Sequence, residues 1–335
     1  MTAASLLRRL MLSVPTLFGV LVINFVLLRV VPGDPIAMMI GPGATPEDIQ
    51  NLREIYGLDQ SIFQQFLFYI RDLFNGNLGI SISMRQDVVE LIGGRLPVTL
   101  ELAFVAIVIA LVGIVGFGIT ASMWKGHWPE VLIDAFSGFV QAVPDFLWGL
   151  LFILIFGVLW AFMPIFGRMD LTVEFDPATQ FYLFESLLRG DFVVFASVLQ
   201  HIVLPALSLA LPLIAVGTRL LKSSIIEAMA QDYVQLARVK GFSHFRIVVS
   251  QAFPNALIPT VTLTGVQMTF LIGGTVLVER IFGYPGLGNM AIDAVINRDL
   301  PLIQGIVLTF AVMFIVLNIL IDMTYAFLNP RLRHD

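Results

Sequence analysis

Residues 96–123 read LPVTLELAFVAIVIALVGIVGFGITASM, and this stretch decides the fold class. It contains one ionisable side chain, that of Glu101. A helix needs roughly 20 mainly apolar residues to cross the hydrocarbon core of a membrane, where its backbone hydrogen bonds must be satisfied internally. The stretch is therefore predicted to be a membrane-spanning helix.

The composition of the whole chain agrees with this interpretation. Of its 335 residues, 58% are hydrophobic and 13% are charged, whereas about a quarter of the residues in a soluble domain are charged. Five further apolar runs have the length of a span, namely residues 10–31, 131–163, 202–221, 255–278 and 302–327. The sequence predicts an all-α integral membrane protein with about six transmembrane helices.

The apolar run at residues 10–31 has two interpretations. It follows Arg8 and Arg9, as in a signal peptide of the twin-arginine kind, but such a peptide has an apolar core of about 7 to 15 residues before a small-residue cleavage site. This run is longer and leads into Arg29 and the sequence PGDP at residues 32–35. Its length and flanking residues favour an uncleaved first span.

The run at residues 131–163 is longer than one crossing requires, and Pro144-Asp145 interrupts it. Because proline removes a backbone donor and bends a helix, and because long spans tilt, we expect one tilted or bent helix here. A re-entrant element is the alternative.

Ionisable side chains within apolar runs are costly in a membrane and often functional. Asp145 is the candidate for lining a translocation path, whereas Glu101, His201 and Asp322 are expected to lie near helix ends or to pack against neighbouring helices.

A second group of residues is expected to allow close helix contacts in lipid. It comprises Gly113, Gly116, Gly118 and the pair Gly273-Gly274.

Composition and motifs exclude several kinds of chemistry. The chain has no cysteine, its formal charge of -5 offers no basic surface for nucleic acid, and no group of His, Asp or Glu has metal-ligand spacing. A P-loop needs G-x-x-x-x-G-K-[ST], and the nearest stretch, GTRLLKSS at residues 217–224, lacks the second glycine. Its Lys222 is interpreted as a cation that reaches the membrane surface, and the chain is not expected to hydrolyse ATP.

Residues 32–95 are predicted to form a cap outside the membrane, with eight acidic residues against four arginines. Within it, residues 62–74 are apolar but too short to cross, which favours a surface or interfacial helix. Seven Lys and Arg residues flank the predicted spans on one side of the membrane and five flank them on the other side. This bias favours cytoplasmic termini and a cytoplasmic loop at residues 222–253, with the cap and residues 164–200 outside.

The loop between the fourth and fifth spans has a helical pattern around DYVQLARVKG, residues 232–241. Apolar residues recur at three- and four-residue spacings and form one stripe, and Gly241 stands where a left-handed C-terminal cap is expected. Ser243 is a predicted N-cap of a second helix, with Phe242 and Ile247 spaced for a hydrophobic staple. The stripe comprises Ile225, Ile226, Met229, Tyr233 and Leu236.

The same residues allow two interpretations of the loop. It is either an ordinary solvated loop with well-capped helices or a surface that a partner approaches closely. Ala237 and Gly241 are four residues apart on one face, which suits the second interpretation.

The loop resembles the EAA motif of type I ABC importer permeases, in which E-A-A is followed after three residues by Gly and nine residues later by I-x-L-P. Ala237 and Gly241 match the second alanine and the glycine, and Phe253-Pro254 falls on the final L-P. Gln235 occupies the position of the glutamate. The resemblance therefore implies that this chain functions without a negative charge at that position. Two further positions depart from the motif, Leu236 and Gln251.

These departures resemble the dipeptide and oligopeptide branch of that family, where the stretch commonly reads close to QDYVxxARxKG, as it does here at residues 231–241. Other blocks resemble the same branch along nearly the whole chain. They include VPGDP at residues 31–35, GNLGISIS at 76–83, RLPVTLELA at 95–103 and ERIFGYPGLGNMAIDAVINRDLPLIQG at 279–305.

The resemblance implies a non-catalytic permease subunit in the bacterial inner membrane that imports peptides. The implied partners are a second homologous permease, two ATPase subunits that bind ATP and Mg, and an extracytoplasmic solute-binding protein. The domains expected on this basis are the first helix at residues 1–31, the cap at 32–95, the permease core at 96–328 and a cytoplasmic tail at 329–335.

The resemblance also implies roles for individual residues. The turn at residues 284–286 lies near the outer gate and the docking surface for the binding protein in this family, although a plain connecting turn is the alternative; its residues are Tyr284, Pro285 and Gly286. The residues implied in ATPase coupling are Asp232, Tyr233, Gln235, Leu236, Ala237, Arg238, Lys240, Gly241, Phe253 and Pro254.

Two other functional classes fit the sequence less well than a permease subunit of an ABC importer. An ion-coupled secondary transporter usually shows internal repeats and midplane charges, and this sequence shows no evident repeat between its halves and few such charges. A membrane anchor without a transport path is disfavoured by the whole-length resemblance. The sequence does not fix the cargo, because related permeases import dipeptides, longer peptides, glutathione, nickel chelates, sugars or opines.

Overall fold

The apolar runs fold into helices throughout the computed structural model, which describes residues 3–30, 50 and 59–328. The helices are α1 (Ala3–Val30), α2 (Ile62–Phe74), α3 (Val88–Met123), α4 (Trp128–Ala142), α5 (Asp145–Phe152), α6 (Tyr182–Arg189), α7 (Phe192–Met229), α8 (Asp232–Val239), α9 (His244–Ile247), α10 (Phe253–Ile281), α11 (Leu287–Ile296) and α12 (Leu300–Leu328). A π-helical segment, Ile153–Leu159, continues α5, and another, Val248–Ala252, joins α9 to α10. The predicted all-α fold class is confirmed. The VPGDP block and the tail at 329–335 lie outside the described residues.

Three helices are long and apolar enough to cross a membrane, namely α3, α7 and α12. Counting each of two bent helix pairs as one span gives up to five among the described residues. In α1 the apolar part is the shorter segment Met11–Val26. The total of six spans therefore stays a prediction.

The interruption predicted at Pro144-Asp145 is present, because α4 and α5 are separate helices that meet at 103°; a continuous tilted helix over residues 131–163 is wrong. Val143 between them is extended, with φ -106° and ψ 128°. The following Pro144 lacks a backbone N–H and disfavours a helical conformation for the residue before it. A bend of this size is that of a broken span or a re-entrant element, not of a tilted helix.

The long helices run between two ends of the bundle. We call these the loop end and the cap end and define each by its residues. The loop end comprises residues 124–127 and 230–252. The cap end comprises residues 59–87, 160–191 and 282–299. The short helix predicted at residues 62–74 is present as α2, and Ser61 and Gln64 form a capping box at its start; its position outside the membrane stays a prediction.

The contact between α3 and α7 depends on glycine residues in both helices. A Cβ atom added to Gly113 would lie 2.7 Å from Ile214 Cδ1, and one added to Gly217 would lie 2.3 Å from Ile114 Cδ1. Without side chains at these positions, the two backbones approach closely and each isoleucine fills the space beside a glycine.

Gly118 takes part in the same contact, because an added Cβ would lie 2.7 Å from Leu221 Cδ2. The helix contacts predicted for Gly113 and Gly118 are thus confirmed. The prediction is wrong for Gly116 and Gly273, where an added Cβ would meet no atom within 4 Å. A helix places only some of its residues against a given neighbour, and the sequence did not show which.

At the loop end an ion-pair bridge joins α7 to α4. The Nζ atom of Lys222 lies 2.6 Å from a carboxylate oxygen of Glu130 and 2.5 Å from one of Asp134. The interpretation of Lys222 as a cation that reaches the membrane surface is corrected by these contacts. Its side chain is 13% exposed and connects two helices.

A substitution of Gly217 tests the α3–α7 contact. We expect Gly217→Leu to lower the free energy of unfolding by about 1–3 kcal/mol, because a side chain there would overpack against Ile114. The measurement is the thermal unfolding midpoint of the purified protein in detergent. Gly116→Leu is the matched control, since it adds the same side chain at an exposed position of α3; equal midpoints for the two variants would contradict this account of the interface.

Candidate functional site

The loop between α7 and α10 contains two short helices joined by a tight glycine turn. Gly241 has φ +78°, a conformation that glycine adopts without steric cost. The N–H of Phe242 donates to the carbonyl of Ala237 at 3.2 Å, and the N–H of Gly241 donates to that of Arg238 at 2.9 Å. This is a Schellman C-cap, and it confirms the predicted role of Gly241.

The second helix of the loop begins as predicted. The hydroxyl of Ser243 accepts a hydrogen bond from the N–H of Arg246 at 3.4 Å, so Ser243 is the N-cap of α9. Phe242 and Ile247 belong to one apolar cluster, as expected for a hydrophobic staple. The guanidinium of Arg246 lies 4.4 Å from the ring centre of Phe242. These contacts fix the angle between α8 and α9.

The inner face of α8 packs against α9. Val234, Ala237 and Ile247 form a buried cluster, with Met229 and Phe242 beside it. The prediction that Ala237 lies open to a partner is wrong, because only 5% of this residue is exposed. Its small side chain instead lets α8 and α9 lie close together, whereas Gly241 is exposed.

The outer face of α8 combines exposed apolar and cationic side chains. Leu236 is 55% exposed and Val239 is 86% exposed, an unusual arrangement for a loop expected to lie in water. We name this face, together with the start of α9, the loop-end surface. Its residues are Tyr233, Leu236, Arg238, Val239, Lys240 and Phe245, all of which are exposed, as are Asp232 and Gln235.

Sequence reasoning missed Val239 and Phe245 and misassigned part of the apolar stripe. Ile225 is fully buried in α7, and a break at residues 230–231 separates it from the exposed Tyr233 and Leu236. The available signal was the spacing of three from Tyr233 to Leu236 to Val239, which places these residues along one side of a helix.

The loop is connected to the start of α10 by two contacts. The side-chain amide of Asn255 donates to the hydroxyl of Tyr233 at 3.2 Å. Phe253 is half-buried and packs on a cluster that includes Ile114 and Leu221. Pro254 is exposed at the first turn of α10, where its missing N–H is of little cost. The loop-end surface is thus attached to α3, α7 and α10.

Asp145 is the first residue of α5, directly after the sharp break. It is exposed and borders a cleft of about 190 Å³ between α5, α7 and α10, where Pro212 and Gln267 also lie. A carboxylate suits this position because the N-terminus of a helix carries partial positive charge. The path-lining role of Asp145 stays a prediction.

The turn at residues 284–286 is built around a buried carboxylate at the cap end. Glu279 accepts hydrogen bonds from the hydroxyl of Thr99 at 2.7 Å and from the N–H groups of Gly288 at 2.7 Å and Asn289 at 3.1 Å. A Cβ atom at Gly286 would lie 2.4 Å from the carboxyl carbon of Glu279. Glycine is therefore required at position 286, because any side chain there would clash with the carboxylate of Glu279.

The predicted docking role is wrong for two residues of this turn. Tyr284 is fully buried, and burial raises the pKa of its hydroxyl well above its usual value. Gly286 is also buried, whereas Pro285 is half-buried. Neither Tyr284 nor Gly286 can contact a docked protein directly, because both are used in folding the turn. A role near an outer gate stays a prediction.

A buried ion pair fastens the segment after α5 to α3. The guanidinium of Arg168 donates to Glu101 at 2.7 Å, with side-chain exposures of 5% and 0%. Glu101 also accepts from the N–H of Leu183 at 2.7 Å, and the Arg168 guanidinium lies 3.7 Å from the ring centre of Tyr182. Glu101 lies in the interior of α3, so of its two interpretations the packing against neighbouring segments is confirmed and the position near a helix end is wrong. Its partner Arg168 was missed.

Asp299 has a similar role between the cap and α12. It accepts hydrogen bonds from the hydroxyls of Ser81 at 2.5 Å and Ser83 at 2.6 Å, and from the N–H of Ser83 at 2.9 Å. Burial by itself would raise the pKa of Asp299, but these hydrogen bonds outweigh it and leave the pKa below its usual value. The carboxylate therefore stays ionised at neutral pH.

Sequence reasoning missed Glu279, Thr99 and Asp299 as structural residues. The signal was present in the block at residues 279–305, where an acid next to an apolar span precedes Gly283, Gly286 and Gly288. Among the described residues, no group of three or more His, Cys, Asp or Glu side chains could bind a metal ion.

Comparison with known proteins gives two family matches. Residues 114–334 match the family described as "Binding-protein-dependent transport system inner membrane component". Residues 3–103 match the corresponding N-terminal family, "Binding-prot-dependent transport system membrane comp, N-term".

The chain is also similar to individual permeases over nearly its whole length. It is 38% identical over 337 residues to the di/tripeptide transport system permease protein DppB of Pseudomonas aeruginosa, and 37% identical over 333 residues to the dipeptide transport system permease protein DppB of Escherichia coli K12. It is 34% identical over 328 residues to the glutathione transport system permease protein GsiC of an Escherichia coli O6:H1 strain. Each alignment covers 98% of both chains.

The buried ion pair at the cap end can be tested by removing one partner and then both. We expect Glu101→Leu to destabilise the protein by about 3–5 kcal/mol, because it leaves the charge of Arg168 buried and unpaired. The double variant Glu101→Leu/Arg168→Met should recover much of that loss. The measurement is thermal unfolding in detergent of Glu101→Leu, Arg168→Met and the double variant. A loss of stability in the double variant equal to the sum of the losses in the two single variants would contradict the pairing.

Proposed function

The chain belongs to the family of binding-protein-dependent transport system inner membrane components, and from this premise we propose that it is the permease subunit of an ATP-driven importer of peptides. The relatives named for dipeptides, tripeptides and glutathione support peptide cargo. The observation that carries the proposal is the loop-end surface, where apolar and cationic side chains are exposed at one end of a membrane bundle.

The proposed partners follow from the division of labour in such a system. Two ATPase subunits bind ATP and Mg, a second homologous permease completes the path, and an extracytoplasmic binding protein delivers the cargo. The chain itself binds no cofactor. We place it in the bacterial inner membrane with both termini and the loop end in the cytoplasm, in line with the charge bias of the sequence.

The loop-end surface has the chemistry of a contact with an ATPase. Leu236 and Val239 offer apolar area that is exposed in the isolated chain, and Arg238 and Lys240 offer cations at the same site. Interface centres bury apolar anchors, and charged residues at the rim improve specificity and association rate. Gln235 is exposed beside them and contributes a neutral hydrogen-bonding group.

The internal contacts of the loop support its role in transmitting movement. The Schellman cap and the buried cluster of Val234, Ala237 and Ile247 make α8 and α9 one unit. The hydrogen bond between Tyr233 and Asn255 joins that unit to α10. A displacement of α8 by a closing ATPase pair would therefore displace the start of α10, which suits a transporter that alternates between two conformations.

The translocation path is proposed to pass the cleft beside Asp145. This cleft lies between α5, α7 and α10, and α10 is the helix to which the loop is attached. Movement of α10 relative to α5 would change the width of the cleft, and Asp145 and Gln267 would offer polar contacts along a mainly apolar wall.

Charge and polarity changes on α8 test the coupling role. We expect Leu236→Glu and Arg238→Glu to leave the protein folded in the membrane but to reduce ATP-driven peptide uptake at least about tenfold, the loss typical of one interface anchor. The measurement is uptake by proteoliposomes containing the whole complex, together with co-purification of the ATPase subunits. Lys125→Glu is the control, because it changes an exposed cation at the loop end outside the loop; wild-type uptake in both test variants would refute the coupling role.

The source of energy distinguishes this function from ion-coupled transport. We expect peptide uptake to stop when the partner ATPases are made catalytically inactive, and to continue when an ionophore collapses the ion gradients. Both measurements use the reconstituted complex with its binding protein. Uptake that follows the ion gradient and ignores the ATPase variant would contradict the proposed function.

A further inference from the structure

A large cavity opens at the cap end of the chain. Its volume is about 590 Å³, and it lies between the first turns of α3, residues 166–182 and the turn at 284–286. Pockets for small ligands usually measure about 300–1,000 Å³ and combine apolar walls with a few polar groups. This cavity has the size of such a pocket and is separate from the cleft beside Asp145.

The walls of the cavity are largely apolar. Side chains from α3 and from the facing segment contribute, and Leu171 among them is fully exposed at the rim. The apolar lining consists of Leu91, Val98, Phe166, Met169 and Leu171. Such walls suit the side chains of a bound peptide but give no hydrogen bonds to its ends.

Two charged side chains of the lining have no ion-pair partner in the described part of the chain. Arg95 is half-buried, and its guanidinium donates to the carbonyl of Pro285 at 3.0 Å. No carboxylate within the described ranges lies within ion-pair distance of Arg95. The carboxylate of Glu90 is exposed and is likewise unpaired among those residues.

Arg168 supplies a further polar group in the same cavity. The side chain is 5% exposed, and one end of its guanidinium is paired with Glu101. Its Nε atom is buried and has no hydrogen-bond partner within the described structure. The buried hydroxyl of Tyr284 lies beside this guanidinium, which also donates to the carbonyl of Gln180. Arg168 is therefore used inside the fold and is not assigned a contact with a bound molecule.

Glu90 and Arg95 lie on the same helix and line the same cavity. Glu90 and Arg95 are five residues apart on α3, which separates them by about 7.5 Å along the helix axis. A fully extended chain of two residues spans about 7 Å. This axial offset is of the order of the length of a dipeptide, and an acid and a base that line one cavity complement the ammonium and carboxylate groups of a zwitterionic dipeptide.

We propose that this cavity binds zwitterionic short peptides at the cap end, with Arg95 contacting the C-terminal carboxylate and Glu90 contacting the N-terminal ammonium. The proposal rests on the proposed function and makes it more specific, since it gives the permease its own recognition of free peptide ends. A carboxylate from a docked protein would satisfy Arg95 alone and would leave Glu90 without a role.

The test measures peptide binding to the complete transporter in nanodiscs, without nucleotide and without the binding protein. The probe is tritiated alanyl-phenylalanine, and the competitors are the free peptide, its N-acetyl form and its C-terminal amide. We expect each blocked form to compete at least about tenfold more weakly than the free peptide, as for the loss of one charge-assisted hydrogen bond.

Variants then assign each preference to one side chain. Arg95→Gln should raise the Kd of the free peptide about tenfold and remove the preference over the amide, while the preference over the acetyl form remains. Glu90→Gln should show the converse. Arg298→Gln and Glu174→Gln are the controls, because they remove the same charges at exposed cap-end positions outside the cavity.

Several outcomes would overturn the proposal. They are the absence of dipeptide binding by the wild-type complex, equal affinity for free and blocked peptides, or unchanged binding in Arg95→Gln. The competitor measurements use the wild-type complex, so they test the proposal even if Arg95→Gln fails to assemble. If Arg95→Gln weakens only the affinity of the complex for its binding protein, Arg95 belongs to a docking surface.

The proposal and the proposed function fail in different ways. ATP-driven peptide uptake by a complex that shows no dipeptide binding of its own would refute this site and leave the function intact. Absence of ATP-driven peptide uptake would refute the function itself.

Discussion

The close contact of α3 with α7 is the interaction on which the other described helices depend. Gly113 and Gly217 remove side chains where the helices meet, so that Ile214 and Ile114 can fill the space. The helix α7 in turn contacts α4, α5, α6 and α10. In lipid, where apolar side chains gain little by leaving the solvent, close backbone contact supplies the attraction that fixes these positions. The cleft beside Asp145 exists because α5 and α10 lie against this same helix.

Three acidic residues organise the cap end, and none of them is available for catalysis. Glu101 is paired with Arg168, Glu279 accepts three hydrogen bonds, and Asp299 accepts three from Ser81 and Ser83. Each joins segments that are distant in sequence. A buried carboxylate is costly unless its oxygens are satisfied, so these residues fix the turns around them. Arg95 and Glu90 differ from the other cap-end charges without an ion-pair partner in the described part of the chain because both line the large cavity at this end.

The two faces of α8 explain how a short loop can serve both folding and assembly. Val234 and Ala237 pack inward on α9, whereas Leu236 and Val239 are exposed. The inward face makes the loop rigid, and the contact of Tyr233 with Asn255 attaches it to α10. Under the proposed function, a flexible loop would absorb the movement of a partner, whereas this arrangement would pass it to the membrane helices.

The sequence was enough to predict the fold class, the glycine turn at Gly241, the short helix at residues 62–74 and the family, because each depends on local composition or on motifs read in order. It did not determine which glycines form contacts, that Ala237 is buried, that residues 131–163 bend by 103°, or that Glu279, Thr99 and Asp299 are structural. Only the tertiary structure decided these points. The reason is physical: a periodic pattern shows that a helix has faces, but the neighbour that each face meets depends on segments up to 200 or more residues away, as the contact of Ser81 with Asp299 illustrates across 218 positions.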